Sequence, residues 1–298
     1  MQVRYDITHT TVYRYSKPVR FGQHRVMFRP RDSHDLRVLA TDLQVSPEAT
    51  VRMIQDPQSN SLALVQPLVD ATELRIVCSF TIEYVPAPEN VLELEPAAEY
   101  MPFAYSVQDR LDLEHYLRPY YDDPDGVLIR WAQQFLFNDA PNATREVLAR
   151  MNAHIGQTLE YAVRHEEGTQ TPLETLKRGC GTCRDYALLM MEAARRLGVA
   201  TRFVSGYLYD AALDSNADGG IAMTGSAATH AWLQAYLPGA GWVAYDPTNN
   251  LSNTSAQLIR VGVARDPSQA APISGSWFGE PNSYKGMEVQ VSVRREGD

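Results

Sequence analysis

Three residues of this chain are of types that together could break an acyl bond: a cysteine, a histidine and an aspartate. Cys183 sits in Gly179-Cys180-Gly181-Thr182-Cys183-Arg184-Asp185-Tyr186-Ala187. Thr182, with Asp185 three residues on, has the pattern of a helix N-cap, which puts Cys183 on the first turn of a helix. A helix start carries unpaired N–H groups and partial positive charge, both of which favour a thiolate. The same N–H groups can face the oxygen of an attacked carbonyl and supply half of an oxyanion hole. A thiol nucleophile also needs a base, and the base needs a group that orients it. His230 opens the run Thr229-His230-Ala231-Trp232-Leu233-Gln234-Ala235-Tyr236, and Asp246 closes Gly241-Trp242-Val243-Ala244-Tyr245-Asp246. The short Pro238-Gly239-Ala240-Gly241 link makes these two runs a hairpin. A hairpin brings the start of its first strand to the end of its second, so imidazole and carboxylate meet at one end.

Each residue has a plainer reading by itself: an inert buried thiol, a packing histidine, an Asp-Pro turn. Their combination favours a Cys183–His230–Asp246 triad. Cys180 and Cys183 also satisfy Cys-x-x-Cys, the spacing of a redox pair or half a zinc site. The chain has 3 cysteines, so no second pair completes a zinc site, and Cys180 reads as structural. Arg184 and Asp185 are expected to form a local ion pair or cap. Trp232 and Trp242 are expected in the core, and His154 and His165 at surface or packing positions.

The elements that must hold these residues fall into two regimes. Before about residue 85, apolar and polar residues alternate in short runs such as Val3-Tyr5-Ile7 and Leu74-Ile76-Cys78-Phe80-Ile82-Tyr84. Period-two runs with turn residues between them predict an antiparallel β-sandwich. Pro86-Ala87-Pro88-Glu89-Asn90 then has the composition of a linker. From about residue 108 the period becomes helical, with stripes at Leu128, Trp131, Phe135 and Leu136 and at Val147, Leu148, Met151, Ile155 and Leu159. Thr171-Pro172-Leu173-Glu174 has the capping-box pattern, and Gly198 ends the helix that begins at Cys183. Strand-like runs return over Thr201-Tyr209, His230-Leu237, Trp242-Asp246, Leu258-Val263 and Met287-Val293. The segment 210–228, rich in small residues, reads as a long loop and a candidate lid, and 164–167 as a solvated loop.

At these residues the chain resembles bacterial members of the transglutaminase-like superfamily. The matching segments are Gly-Thr-Cys-Arg-Asp-Tyr-Ala at 181–187, Arg-Arg-Leu-Gly-Val-Ala-Thr-Arg-Phe-Val-Ser-Gly-Tyr at 195–207, Thr-His-Ala-Trp at 229–232 and Gly-Trp-Val-Ala-Tyr-Asp-Pro-Thr-Asn at 241–249. They occur in the family's order, with 47 residues from Cys to His (230 − 183) and 16 from His to Asp (246 − 230). The resemblance implies Cys183 as nucleophile, His230 as base and then acid, and Asp246 as orienter. It implies an α+β fold: an N-terminal β-sandwich over 1–88, then a papain-like core over 89–298 with the Cys helix packed on an antiparallel sheet. Family members of animal origin take a second oxyanion donor from an upstream tryptophan. Trp131, the nearest upstream tryptophan here, does not map onto that role, and Gln157 is a substitute by chemistry alone.

Composition bounds the partners. A net charge of -9 without a basic run argues against nucleic acid. No apolar stretch reaches the roughly 20 residues of a membrane span. The N-terminus lacks the pattern of a secretory signal, and few cysteines in odd number fit a reducing, cytoplasmic setting. Asn142-Ala143-Thr144 then carries no weight as a glycan site. No acidic loop has the ligand order of a calcium site, and no cofactor or metal is expected. The expected partner is a peptide or protein substrate. The acceptor can be water, giving a peptidase or amidase, or an amine, giving a cross-linking transglutaminase. Hydrolysis is the expected outcome, and a peptide-binding module without chemistry is the non-enzymatic alternative.

Overall fold

The computed structural model describes residues 3–85, 93–162, 168–213, 229–252 and 257–296. The chain opens with β1 (Val3–Phe21), β2 (His24–Arg29), β3 (Leu36–Ser46), β4 (Ala49–Gln55), β5 (Ser61–Pro67) and β6 (Ala71–Tyr84). β1, β6 and β3 form one antiparallel sheet, and β2, β5 and β4 a second. Alternation along β1 buries Tyr5, Ile7, His9 and Thr11, and along β6 it buries Leu74, Ile76, Cys78, Phe80 and Ile82. The side chains of Tyr15, Val19, Leu74, Ile76 and Cys78 from the first sheet meet Val26, Phe28, Ala63 and Val65 from the second. Two sheets closing on one apolar layer make the sandwich that period-two patterning predicts.

The helical part begins with β7 (Tyr100–Met101), α1 (Val107–Asp112), α2 (Glu114–Leu117) and α3 (Val127–Gln133). It continues through β8 (Asn142–Ala143), α4 (Thr144–Thr158), β9 (Glu160–Tyr161), α5 (Pro172–Arg178), β10 (Cys180–Gly181) and α6 (Cys183–Arg196). The Thr171 capping box forms, with Glu174 N–H donating to Thr171 Oγ1 at 3.2 Å and Thr171 N–H to Glu174 at 2.8 Å. α3 ends at Gln133, so Phe135 and Leu136 join the core from the turn after the helix. Gly198 terminates the α6 region in the left-handed region at φ 84.

The core sheet follows as β11 (Thr201–Leu208), β12 (Thr229–Leu237), β13 (Gly241–Asp246), β14 (Leu251–Ser252) and β15 (Leu258–Ala264), antiparallel in the order β14-β13-β12-β11-β15. Phe203, Ala231, Leu233, Ala235, Val243 and Tyr245 pack with Ala187, Leu189, Met190 and Met191 of α6. This is an α+β fold with a transglutaminase-like core. No described helix is long and apolar enough to cross a membrane.

The division at residue 88 needs one correction. Residues 86–92, with the Pro86–Asn90 linker, lie outside the described residues, as do 163–167 and 214–228. The last strands, β16 (Ile273–Ser274), β17 (Trp277–Phe278) and β18 (Tyr284–Arg295), do not belong to the core sheet. β16 pairs with β2, and β17 and β18 pair with β1, from Tyr5↔Arg295 to Tyr15↔Tyr284. A strand's backbone groups need partners, and β1 finds its second row of them at the far end of the chain.

Sandwich and core share an apolar interface in which Tyr5, Ile7, Phe80 and Ile82 meet Tyr207, Tyr209, Ile259 and Val261. Asn60 closes its edge. Its Nδ2 donates to Val263 O at 2.7 Å, and its Oδ1 accepts from Val263 N–H at 2.9 Å. An amide side chain thus stands in for one more ladder partner on the outer edge of β15.

α6 is buried along almost its whole length, and its C-terminal half is fixed by a charged cluster. Glu192, fully buried, accepts from Tyr120 and Tyr121 N–H at 3.1 and 3.2 Å. It also accepts from Arg195 Nη1 and Arg196 Nη1, each at 2.8 Å. Removing one member of such a cluster leaves charges buried and unpaired. Glu192→Ala is expected to lower unfolding stability by about 3–5 kcal/mol, read from urea denaturation. A loss within the error of the wild-type measurement would refute this role.

Candidate active site

The segment before Cys183 is held from two sides. Asp185 Oδ2 accepts from Thr182 N–H at 2.8 Å and Thr182 Oγ1 at 2.9 Å, which closes the cap expected from the sequence. Its Oδ1 accepts from Gln170 N–H at 2.7 Å, and Gln170 Nε2 donates to Cys180 O at 3.2 Å. Cys183 is therefore the first helical residue of α6, with the unpaired N–H groups of the first turn around it. Arg184 turns elsewhere: its Nη2 donates to Pro267 O at 2.7 Å and its guanidinium lies 5.1 Å over Phe203. Of the two sequence readings, cap and local ion pair, Asp185 follows the first.

β12 and β13 form the expected hairpin, from Leu233↔Tyr245 to Leu237↔Gly241. At its open end His230 Nε2 donates to Asp246 Oδ2 at 2.8 Å, both side chains fully buried. Asp246 Oδ2 also accepts from Asn249 Nδ2 at 3.1 Å, and Oδ1 accepts from Thr248 N–H at 3.0 Å. With Nε2 committed to the carboxylate, Nδ1 is the imidazole atom left for the thiol. It is buried without a closed hydrogen bond, and Cys183 is close enough to raise the imidazole's pKa. Trp232 flanks the ring, 6.0 Å away and nearly parallel to it. Gly206, opposite His230 in the register, makes room for that indole, since a Cβ there would lie 2.8 Å from Trp232 and 2.1 Å from Ile259 O.

Burial alone would drive His230 towards the neutral form. The Asp246 charge and hydrogen bond, with Cys183 behind them, outweigh burial and raise the pKa to about 10. Burial likewise works against an ionised Asp246, but His230, Asn249 and Thr248 hold its pKa below the ordinary value. The arrangement is an imidazolium–carboxylate pair beside a thiol, able to give a proton to a leaving amine and take one from water.

The sequence overlooks Tyr161. β9 pairs in parallel with β10, Tyr161 opposite Gly181, with Ala162 N–H donating to Gly181 O at 3.0 Å. Its ring meets Tyr186 of α6 edge-on at 6.3 Å. Burial and then the charge and hydrogen bonding of Cys183 raise the Tyr161 phenol well above its usual pKa, so it stays protonated. Gln157, by contrast, is an exposed side chain near the end of α4, and Trp131 packs with Phe135 and His154. Cys180 is a free, half-buried thiol on β10, and Cys183 is free as well. Among the described residues no cluster of three or more His, Cys, Asp or Glu side chains could hold a metal.

Residues 5–83 match the model of the bacterial transglutaminase-like N-terminal region, and residues 130–247 that of the transglutaminase-like superfamily. The chain belongs to the transglutaminase-like superfamily. The second match contains Cys183, His230 and Asp246. The uncharacterised protein ML0607 of Mycobacterium leprae is 26% identical over 297 residues, covering 98% of this chain and 99% of the relative. The uncharacterised protein Rv2569c of Mycobacterium tuberculosis is 28% identical over 309 residues, 99% of this chain and 94% of the relative. The fold is also that of a candidate cysteine protease from Cytophaga hutchinsonii, with a TM-score of 0.68 at 19% identity, over 98% of this chain and 91% of that one. The two mycobacterial relatives thus align with nearly the whole length of the chain, sandwich included.

The buried pair has a defined pH window. The His230 contribution to stability is complete below 6.5, the ordinary imidazole value, and is lost as pH rises through about 10. The Asp246 contribution is present above 3.8 and lost as pH falls through its lowered native value. The stability lead of the wild type over Asp246→Asn should therefore shrink steadily between pH 6.5 and about 10 in urea unfolding. A lead that stays flat across that window would contradict an ionised pair.

Proposed function

We propose that this chain is a thiol-dependent acyl-transfer enzyme acting on amide bonds of peptides or proteins, with Cys183, His230 and Asp246 as its triad and water as acceptor. One observation carries the reading. A fully buried histidine, fixed by a fully buried aspartate through Nε2, keeps Nδ1 for a cysteine at the first turn of a helix. Such burial of an ion pair costs stability, and acid–base chemistry at the thiol gives that arrangement a use.

In the first half-reaction the Cys183 sulfur, its proton held on His230 Nδ1, bonds as thiolate to the amide carbon while the carbonyl oxygen takes the electron pair. The Cys183 N–H and the protonated Tyr161 hydroxyl are the two donors that face this oxygen. As the C–N bond breaks, His230 passes its Nδ1 proton to the amine, leaving a thioester. In the second half-reaction a water gives its proton to Nδ1 and its oxygen attacks the thioester carbon. The sulfur leaves as thiolate, and the imidazolium is restored. Asp246 stays ionised throughout and fixes the ring's tautomer. The description of the Cytophaga hutchinsonii neighbour as a candidate cysteine protease is in line with water as the acceptor. Free thiols at Cys78, Cys180 and Cys183 suit a reducing compartment, and a cytoplasmic location is part of the proposal.

Cys183→Ala should abolish turnover of an activated amide while circular dichroism stays unchanged, and Cys180→Ala should keep most of the activity. Full turnover by Cys183→Ala ends the proposal. With a lysine analogue as competing amine, mass spectrometry should find mainly the free acid; a dominant amide product would make the enzyme a cross-linker.

Tyr161→Phe separates the oxyanion role from packing. It should lower kcat on the order of 10²-fold, the usual cost of one oxyanion donor, while Cys183 remains open to alkylation by iodoacetamide. An unchanged kcat would remove Tyr161 from the mechanism.

A further inference from the structure

Three guanidinium groups converge where the sandwich meets the core sheet. Arg202 of β11, Arg260 of β15 and Arg31 of the loop after β2 line a cavity of about 70 Å³ together with Asp32, Ser33 and Asn60. Arg202 is anchored from the core side. Its Nε donates to Gln234 Oε1 at 2.9 Å, and its guanidinium lies 4.0 Å over the Trp242 ring. That leaves its Nη edge for the cavity, and among the described residues no carboxylate pairs with it. Burial first, then the charges of Arg260 and Arg31, pull its pKa down to about 9.

The neighbouring groups do not cancel this charge. Arg260 Nη2 donates to Ser33 Oγ at 3.2 Å and lies 3.7 Å from Asp35, a loose pairing. Arg31 Nη1 rests on the carbonyls of Gln58 and Ser59 at 3.1 and 3.4 Å. Asp32 faces the same space and spends Oδ1 on Val38 N–H at 2.9 Å. Asp32 and Asp35 stand at the cavity and Asp56 behind Asn60, accepting from Gln58 N–H and from Asn60 N–H and Nδ2; among the described residues none of these carboxylates is bonded to Arg202 or Arg31. Like charges gathered in a low-dielectric site repel, and an anion between them reverses that cost.

Size and chemistry narrow the anion. At about 70 Å³ the cavity takes a group of a few heavy atoms, and any larger part of a ligand stays in solvent. Guanidinium forks match oxyanions by paired N–H···O bonds. Asp32 adds a condition, because a carboxylate in an anion site demands a proton from the ligand. Phosphate near neutral pH keeps a P–OH to donate; sulfate has none. We propose that this cavity is a phosphate site that bridges the sandwich and the catalytic core, taking the free ion, whose P–OH the Asp32 carboxylate accepts. Its occupant would tie Arg31 of the sandwich to Arg202 and Arg260 of the core and raise the cost of separating them.

Titration calorimetry and ³¹P NMR on the full chain, at fixed ionic strength, test the site with inorganic phosphate, O-phosphoserine and sulfate. Saturable phosphate binding is expected, with sulfate weaker by about tenfold or more for want of the bond to Asp32. Arg31 is exposed, so Arg31→Gln should fold normally and weaken phosphate by about tenfold, the usual worth of one charged hydrogen bond. Arg260→Gln, on the opposite wall, should do the same. O-Phosphoserine, mostly without a P–OH at neutral pH, should bind more weakly than phosphate, and tighter binding of it would overturn the proposal. Absence of saturable binding, equal affinity in both variants and wild type, or sulfate binding as tightly as phosphate would each overturn the proposal.

Discussion

A helix buried along nearly its whole length cannot leave its ends to water, and α6 is such a helix. From Cys183 to Arg195 nearly every side chain is enclosed, so orphan N–H groups at one end and charges at the other must find partners inside the protein. Asp185 answers for the first end and Glu192 for the second. Their bonds reach outward to Gln170 on the approach to α5 and to Tyr120 and Tyr121 before α3. Much of the helical layer is arranged by this need. The placement of Cys183 follows, because the cap that seals the N-terminal end also fixes which residue begins the helix.

The core sheet supplies the complementary half. Its central hairpin carries the His230–Asp246 pair to an end where the turn after Asp246 packs against α4. Gly156 allows that approach, since a Cβ there would lie 2.5 Å from Pro247 O. The pair thus rests on two independent supports. The ladder between β12 and β13 sets its register, and the contact with α4 holds the Asn249 and Thr248 bonds that keep Asp246 charged.

The sequence makes the local parts of this site legible and the non-local parts hard to read. Thr182 and Asp185 reveal the start of α6 because capping is written within four consecutive residues. His230 and Asp246 are readable because a short glycine-containing link forces two runs into a hairpin. Tyr161 escapes, because it reaches Cys183 through the parallel pairing of two-residue strands that no periodicity announces. Gln157 attracts notice by chemistry, yet the helix turns it to solvent. The alternating pattern at 287–293 identifies a strand but not its partner, so proximity in the chain suggests the core while the hydrogen bonds lead to β1.

That last pairing bears on how the protein is born. β1 leaves the ribosome before the catalytic half, and β18 leaves after it. Between them β1 has β6 on one side and an open row of backbone groups on the other. Throughout translation of the catalytic half, the nascent sandwich exposes an adhesive edge that only the carboxyl-terminal segment covers. Vectorial synthesis therefore yields a finished core before a finished amino-terminal layer. A stalled or prematurely terminated chain would carry that uncovered edge into the cell, where it invites pairing with other chains.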